Sequence, residues 1–423
     1  MRKGKGKLIK LFEDKYGEYM KGFFIINLNY KLAGRPFKFD DLSGEECATF
    51  VHEYIHFLQN VTTTHGINYF NNNSKFIQLF VSESYKFDKY IPTPFREGRS
   101  SVENALEEFE RRQFYKGDDE NIKINHVKDV KIEAEELLEE VGLGELNSVC
   151  IYYDDKSNPY RFGALCVEES MAYLIENQKF GGQFRENELP YNACELICEK
   201  IFPEIVGRKD LIVAIAEIAL MHYDSGIMFA DLIKQLKGSD TKFLDTNQLV
   251  DFLKDKVSYL YNKFDFETQE TSSAIDFLYP QNSEFGIVNH WIKKVFSNMY
   301  DYRKECLNLI SKCMDLPEDK CKDYINGMIN VFGLPAVFDN EYNMVGLEAN
   351  MCLALVPIAI FNIFKGRNKK CYLYEYCKAS NIPTINEKCI SEPWCQSKND
   401  RLCPFALFWS IYSLEDKEII CDG

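Results

Sequence analysis

Two histidines four residues apart flank a glutamate in the stretch Thr49-Phe50-Val51-His52-Glu53-Tyr54-Ile55-His56-Phe57-Leu58-Gln59. On a helix, residues at this spacing share a face, so the His52 and His56 imidazoles can reach one metal ion with the Glu53 carboxylate beside them. The chain has only six histidines in 423 residues, which makes this pairing around a glutamate rare by chance. A zinc ion on three protein ligands keeps a position open for water, lowers that water's pKa to about 7 and leaves a nearby carboxylate to take its proton. The pattern points to zinc-dependent hydrolysis, with His52 and His56 as metal ligands and Glu53 as general base.

That chemistry requires a helix, and the flanking sequence supplies one. Ser43 and Glu46 have the S-x-x-E spacing of a capping box, and Val51, Ile55 and Leu58 form an apolar stripe that would bury the helix. The β-branched Thr62-Thr63-Thr64 and then Gly66 predict its end.

A third ligand must come from elsewhere. The stretch from Phe162 to Gln178 reads as a helix on which Phe162, Leu165, Glu169, Ala172 and Glu176 share a face, placing two acids among residues expected to be buried. A buried carboxylate without a partner costs several kcal/mol, so Glu169 calls for a cation, a metal or strong donors. Its neighbour Glu168, also next to apolar Ala164 and Met171, is the rival for the same role.

These segments resemble the zincin metallopeptidases, and more narrowly the gluzincins, in which H-E-x-x-H supplies two ligands and a glutamate on a later helix the third. The resemblance covers two short helices and implies zinc bound by His52, His56 and Glu169, Glu53 as general base, and a peptide or protein substrate. Glu169 ranks ahead of Glu168 because Ala172, three residues on, supplies the small residue some members of that group carry. A metzincin pattern fits poorly, since Gln59 and Thr62 stand where it needs Gly and His, and His65 lies too far along. A zincin also uses a further donor for the oxyanion, and His222 in His222-Tyr223-Asp224 is a candidate beside a plain structural role. The competing reading is a noncatalytic zincin-like scaffold or metal-binding protein that mediates protein interactions.

Bulk properties narrow the class. With 46% hydrophobic residues, 32 Phe and 25 Tyr, the chain reads as folded rather than disordered. A net charge of −15 argues against nonspecific binding of nucleic acid or anionic membrane. Acids at Glu13 and Asp14 interrupt any signal peptide after the basic start, and the apolar run from Met351 to Phe364 is too short to span a bilayer. The expectation is a cytoplasmic protein with no membrane or nucleic-acid partner.

The predicted fold is α+β and predominantly helical, with a zincin-like catalytic core, a small β-sheet, a helical C-terminal subdomain and a Cys-rich tail. Residues 1–236 would form the catalytic region, with an insertion near 97–147, and residues 240–423 a mainly helical region. A strand is expected within Gly22–Tyr30, which resembles the small zincin sheet whose edge strand can pair with an extended peptide and reads equally as an ordinary core strand. Helices are expected over 74–90, 102–114 and 131–141, and a strand over 122–130. The tail, about 371–403, holds Cys371, Cys377, Cys389, Cys395 and Cys403, which could close a second, structural metal site, although their spacings lack a C-x2-C hook. The other expectation for the 15 cysteines is reduced, buried thiols.

Overall fold

The computed structural model describes residues 16–32, 37–93, 111–136, 145–182, 188–239, 242–243, 245–345, 351–366 and 370–421. Strands β1 (Gly17–Met20) and β2 (Ile25–Leu28) precede two long helices, α1 (Gly44–Thr62) and α2 (Thr64–Ser84). A short strand, β3 (Tyr90–Thr93), comes before an antiparallel meander of β4 (Val127–Glu136), β5 (Glu145–Tyr153) and β6 (Tyr160–Phe162). Six helices follow: α3 (Ala164–Phe180), α4 (Ala193–Ile201), α5 (Lys209–Ala219), α6 (Ser225–Lys237), α7 (Thr246–Leu278) and α8 (Gly286–Glu305). Then come α9 (Glu318–Phe332), strands β7 (Ala336–Phe338) and β8 (Met344–Val345), helices α10 (Val356–Phe364) and α11 (Pro404–Ile411), and strand β9 (Glu418–Cys421). The protein is therefore α+β and predominantly helical, with small sheets.

The sheet that matters for the site has the order β1-β2-β7-β8. β1 pairs antiparallel with β2, Gly17 opposite Leu28, whereas β2 runs parallel to the distant β7, Ile25 opposite Ala336. Every residue of β2 is buried, so its apolar run needs cover on both faces. β1 is left at the edge, packed beside α1.

Helix α1 begins after Ser43 in extended conformation, with Glu45 and Glu46 in its first turn, where acids favour the helix N-terminus. Ser43 is the N-cap residue, but its side chain makes no capping hydrogen bond, so the predicted capping box gives position without the reciprocal bonds. The helix stops at Thr62 as expected. Thr63 joins it to α2: its hydroxyl donates to the Gln59 carbonyl at 2.7 Å and accepts from Gly66 N at 3.1 Å. A Cβ on Gly66 would lie 2.4 Å from backbone atoms of Asn60, so only glycine lets the two helices meet this closely.

The far end of α1 is fixed by a buried ion pair. Arg303 of α8 is fully buried and donates to the Thr62 carbonyl (2.8 Å), to Thr62 Oγ1 (2.8 Å) and to Glu217 Oε1 of α5 (2.6 Å). Glu217 also accepts from Ile310 N (2.9 Å), Ser311 N (2.7 Å) and Ser311 Oγ (2.7 Å). Each charge is thus met by hydrogen bonds, the condition under which burying it is tolerable.

Three local expectations change. The acidic helix expected over 131–141 is strand β4 through Glu136, paired residue by residue with β5, and 137–144 lie outside the described residues. Lys131-Ile132-Glu133-Ala134-Glu135 alternates polar and apolar side chains, and pairing with β5 outweighs the helix preference of Glu and Ala. The helix expected over 74–90 begins at Thr64 and stops at Ser84, and Tyr90–Thr93 pairs in parallel with β9. Of the helix expected over 102–114, residues 111–116 are helical and 102–110 lie outside the described residues. No described helix is long and apolar enough to cross a membrane.

Candidate metal centre

Helix α1 packs along α3, and the Gln59 amide secures the contact by donating to the Glu168 carbonyl at 3.0 Å. This crossing brings together His52, His56 and Glu169, whose candidate ligand atoms all lie within 4.8 Å of one another. His52 Nε2 is 3.1 Å from His56 Nε2 and 3.3 Å from Glu169 Oε2, and His56 Nε2 is 3.6 Å from the same oxygen. Three donors set tetrahedrally at about 2.0–2.1 Å from one ion lie about 3.3–3.4 Å apart, so the cluster has the spacing of a metal site.

The outward ring nitrogens fit the same reading. His52 Nδ1 meets Glu176 Oε2 at 2.8 Å, and His56 Nδ1 meets Gln59 Oε1 at 2.8 Å. With protons held on both Nδ1 atoms by these acceptors, both Nε2 lone pairs face the centre, the usual arrangement behind metal-binding histidines. Within the cluster, burial opposes charge on His52, but hydrogen bonds to Glu169 and Glu176 outweigh it and raise its pKa. Burial likewise disfavours the Glu169 anion, yet His56 and His52 hold its carboxyl well below the ordinary value.

Glu53 sits next to this cluster and is buried. Burial pushes its carboxyl above the ordinary value, against the pull of His52 and His56. Gly17 of the edge strand lies against it: a Cβ there would stand 2.9 Å from Glu53 Cγ and Oε1 and from Thr49 Cγ2. A cavity of about 540 Å³ contains the cluster, Glu53 and the whole of β1 in its lining, together with Tyr191, whose ring centroid is 6.3 Å from that of His52.

Glu168, the rival third ligand, faces away and pairs with Lys21, with His65 Nε2 at 3.9 Å. Burial pushes His65 down to about 4, and its Nδ1 contacts the Tyr223 carbonyl at 3.1 Å, which makes it a neutral structural histidine. His222, the candidate oxyanion donor, lies in a neighbouring cavity and is not brought to the metal cluster.

Among the described residues, the His52–His56–Glu169 group is the one cluster of three or more potential ligands at metal-ligand spacing, while in the tail Cys403 and Cys389 lie close enough to Cys371 to help burial raise its thiol pKa. Cys389 Sγ accepts from the Gln396 amide at 3.1 Å and Cys403 Sγ from Ala406 N at 3.4 Å. None of the 13 cysteines whose side chains are described forms a disulfide.

Glu176 and Gln59 are the site residues whose roles were not assigned from sequence. Glu176 was visible as a second buried acid on the Glu169 face, and Gln59 as the residue three after His56, but neither partner is encoded by local spacing. No known protein family, curated protein or solved structure matches the chain.

Proposed function

We propose that this protein is a zinc metallopeptidase of the gluzincin type that hydrolyses peptide bonds of a peptide or protein substrate. The observation that carries the reading is the convergence of two imidazoles and one carboxylate at metal-ligand spacing, with Glu53 beside them in one cavity. His52, His56 and Glu169 would hold the ion, and two nitrogens with one carboxylate oxygen form a donor set suited to zinc. Bound there, zinc would supply Lewis acidity that favours deprotonation of water and stabilises negative charge on the substrate carbonyl.

The remaining work falls to the chain. Glu53, its basicity raised by burial, accepts the proton of the attacking water and delivers it to the leaving nitrogen as the C–N bond breaks. Glu176 and Gln59 hold the two imidazoles in the tautomer that turns Nε2 inward. Edge strand β1 borders the cavity, where an extended peptide would lie alongside it. Tyr191 is our candidate for the phenol that donates to the developing oxyanion.

Metal analysis combined with a peptide-library cleavage assay tests this reading. The wild type should bind one zinc and cleave; His52→Ala should lose both metal and activity; Glu53→Gln should keep metal while losing about 10²–10⁴-fold in turnover. Zinc retained in His52→Ala, or undiminished cleavage by Glu53→Gln, would sink the assignment. Zinc bound without cleavage of any peptide would favour a noncatalytic scaffold.

A further inference from the structure

Helix α10 reads Val356-Pro357-Ile358-Ala359-Ile360-Phe361-Asn362-Ile363-Phe364, and Asn362 is its one side chain able to form hydrogen bonds. Aromatic contacts hold the helix in place. The Phe361 ring centroid lies 5.1 Å from that of Phe76 on α2 and 5.8 Å from that of Phe23, and the Phe364 centroid lies 5.2 Å from that of Phe80 and 5.9 Å from that of Trp409 on α11. Ile358, Phe361 and Asn362 line the metal cavity, and their spacing puts them on one face of α10. Ile358 and Phe361 are buried and Asn362 is half-buried, so its amide is the polar feature that this face turns to the cavity.

Among the described residues, the Asn362 amide has no hydrogen-bond partner. Other polar groups in the lining are engaged: Tyr19 Oη donates to Asn60 Oδ1 at 2.8 Å, Lys21 pairs with Glu168, Lys116 pairs with Asp119 at 2.6 Å, and Tyr372 Oη donates to Met20 Sδ at 2.7 Å. Asn121 also lines the cavity, but from an exposed position outside any helix or strand. Asparagine is a weaker helix former than the leucine of similar size that would suit so apolar a segment. A partly buried amide without an internal partner is satisfied from the cavity, by water or by a ligand.

We infer that Asn362 binds the backbone of the substrate, its side-chain carbonyl accepting from a peptide N–H and its amino group donating to a peptide C=O. The inference rests on the peptidase reading above. A primary amide carries an acceptor and two donors, and each non-proline residue of a peptide offers one donor and one acceptor, so the two can meet through a pair of hydrogen bonds whatever the substrate side chains are. Such a contact selects peptides as a class. It also sets their register, because it holds one residue against a helix that packing has fixed.

Depsipeptides test it. In a peptide that the wild type cleaves, each amide N–H other than that of the scissile bond is replaced in turn by an ester oxygen, which removes one donor at a time. Wild-type kcat/KM should fall about tenfold for one ester position, mainly through KM. Asn362→Leu should lose about tenfold on the parent peptide and show no further loss for that ester, with zinc content equal to the wild type. Asn362→Ala should behave in the same way, and because the ratio of ester to parent is internal to each variant, a partial loss of folding leaves it unchanged. Wild-type kcat/KM for Asn362→Leu on the parent peptide, or an undiminished penalty for the ester in both variants, would overturn the inference and leave the peptidase reading standing. If the wild type cleaves no peptide, the two fall together.

Discussion

The Glu176 carboxylate meets His52 Nδ1 at 2.8 Å from the same face of α3 that presents Glu169 to His52 Nε2. One helix face thus holds both sides of one imidazole, through a ligand and an orienting group two turns apart. Removing the orienting carboxylate should loosen the ring without deleting a ligand. Glu176→Ala should weaken zinc affinity about 10–100-fold, and Glu176→Gln, which keeps an acceptor oxygen, should weaken it less. Competition against a chromophoric chelator reads this directly, and unchanged affinity in Glu176→Ala would remove Glu176 from the site.

Gly17→Ala should press on Glu53 and on Thr49 beside it, without touching a metal ligand. The strand backbone accepts alanine, but the added methyl would stand 2.9 Å from the Glu53 carboxylate and displace it. Turnover should fall about tenfold to a hundredfold, the scale of an ångström-sized misplacement, with zinc content near that of the wild type. Wild-type kcat in this variant would show that Glu53 has room to move without consequence.

Asp224 gives the protein a pH-dependent weakness. Burial pushes its carboxyl up from 3.8 to about 6, against the Ile227 N–H it caps. The folded state therefore binds the proton more tightly than the unfolded state. Stability falls as pH rises from about 4 through about 6 and stays lowered above that range. Asp224→Asn keeps a good N-cap and removes the buried charge. It should raise unfolding free energy at pH 7 by on the order of 1–3 kcal/mol and leave that at pH 4 nearly unchanged. Urea denaturation at the two pH values measures the difference, and an equal effect at both would refute the ionic cause.

Arg303→Ala should be among the most damaging single changes outside the site. It would strand the Glu217 carboxylate in the core and free Thr62 at the end of α1. A loss of about 3–5 kcal/mol is expected, while the paired change Arg303→Met with Glu217→Leu should recover part of it. Thermal unfolding of the single and double variants provides the comparison, and additive losses would contradict the coupling.

Zinc removal should also lower stability. A ligand that binds only the folded state stabilises it by about 2.7 kcal/mol at a free concentration of 100 Kd. Chelator should lower Tm and restored zinc should return it, whereas His56→Ala should be insensitive to both.

How much of this was legible in the sequence depends on the range of the interaction. His52, Glu53 and His56 follow from spacing along one helix, and Glu169 from an acid on an apolar face, so the cluster could be written down before its geometry was seen. Glu168 and Glu169 are one residue apart and the spacing to Ala172 only ranks them; the structure separates them, setting Glu169 against both imidazoles while Lys21, from a distant segment, occupies Glu168. The Arg303–Glu217 pair was hidden for the same reason. Lys131–Glu136 misled in another way, since its composition favours a helix while its partner strand β5 imposes extended structure.

The parallel pairing of Ile25 with Ala336 also has a consequence in time. At about 5–20 residues per second, tens of seconds separate the emergence of these two strands from the ribosome. During that interval the nascent chain carries His52 and His56 on α1 and then Glu169 on α3 beside an unfinished sheet, with one flank of β2 uncovered and open to chaperones. The sheet that borders the candidate site is thereby completed long after the three candidate ligands have been translated.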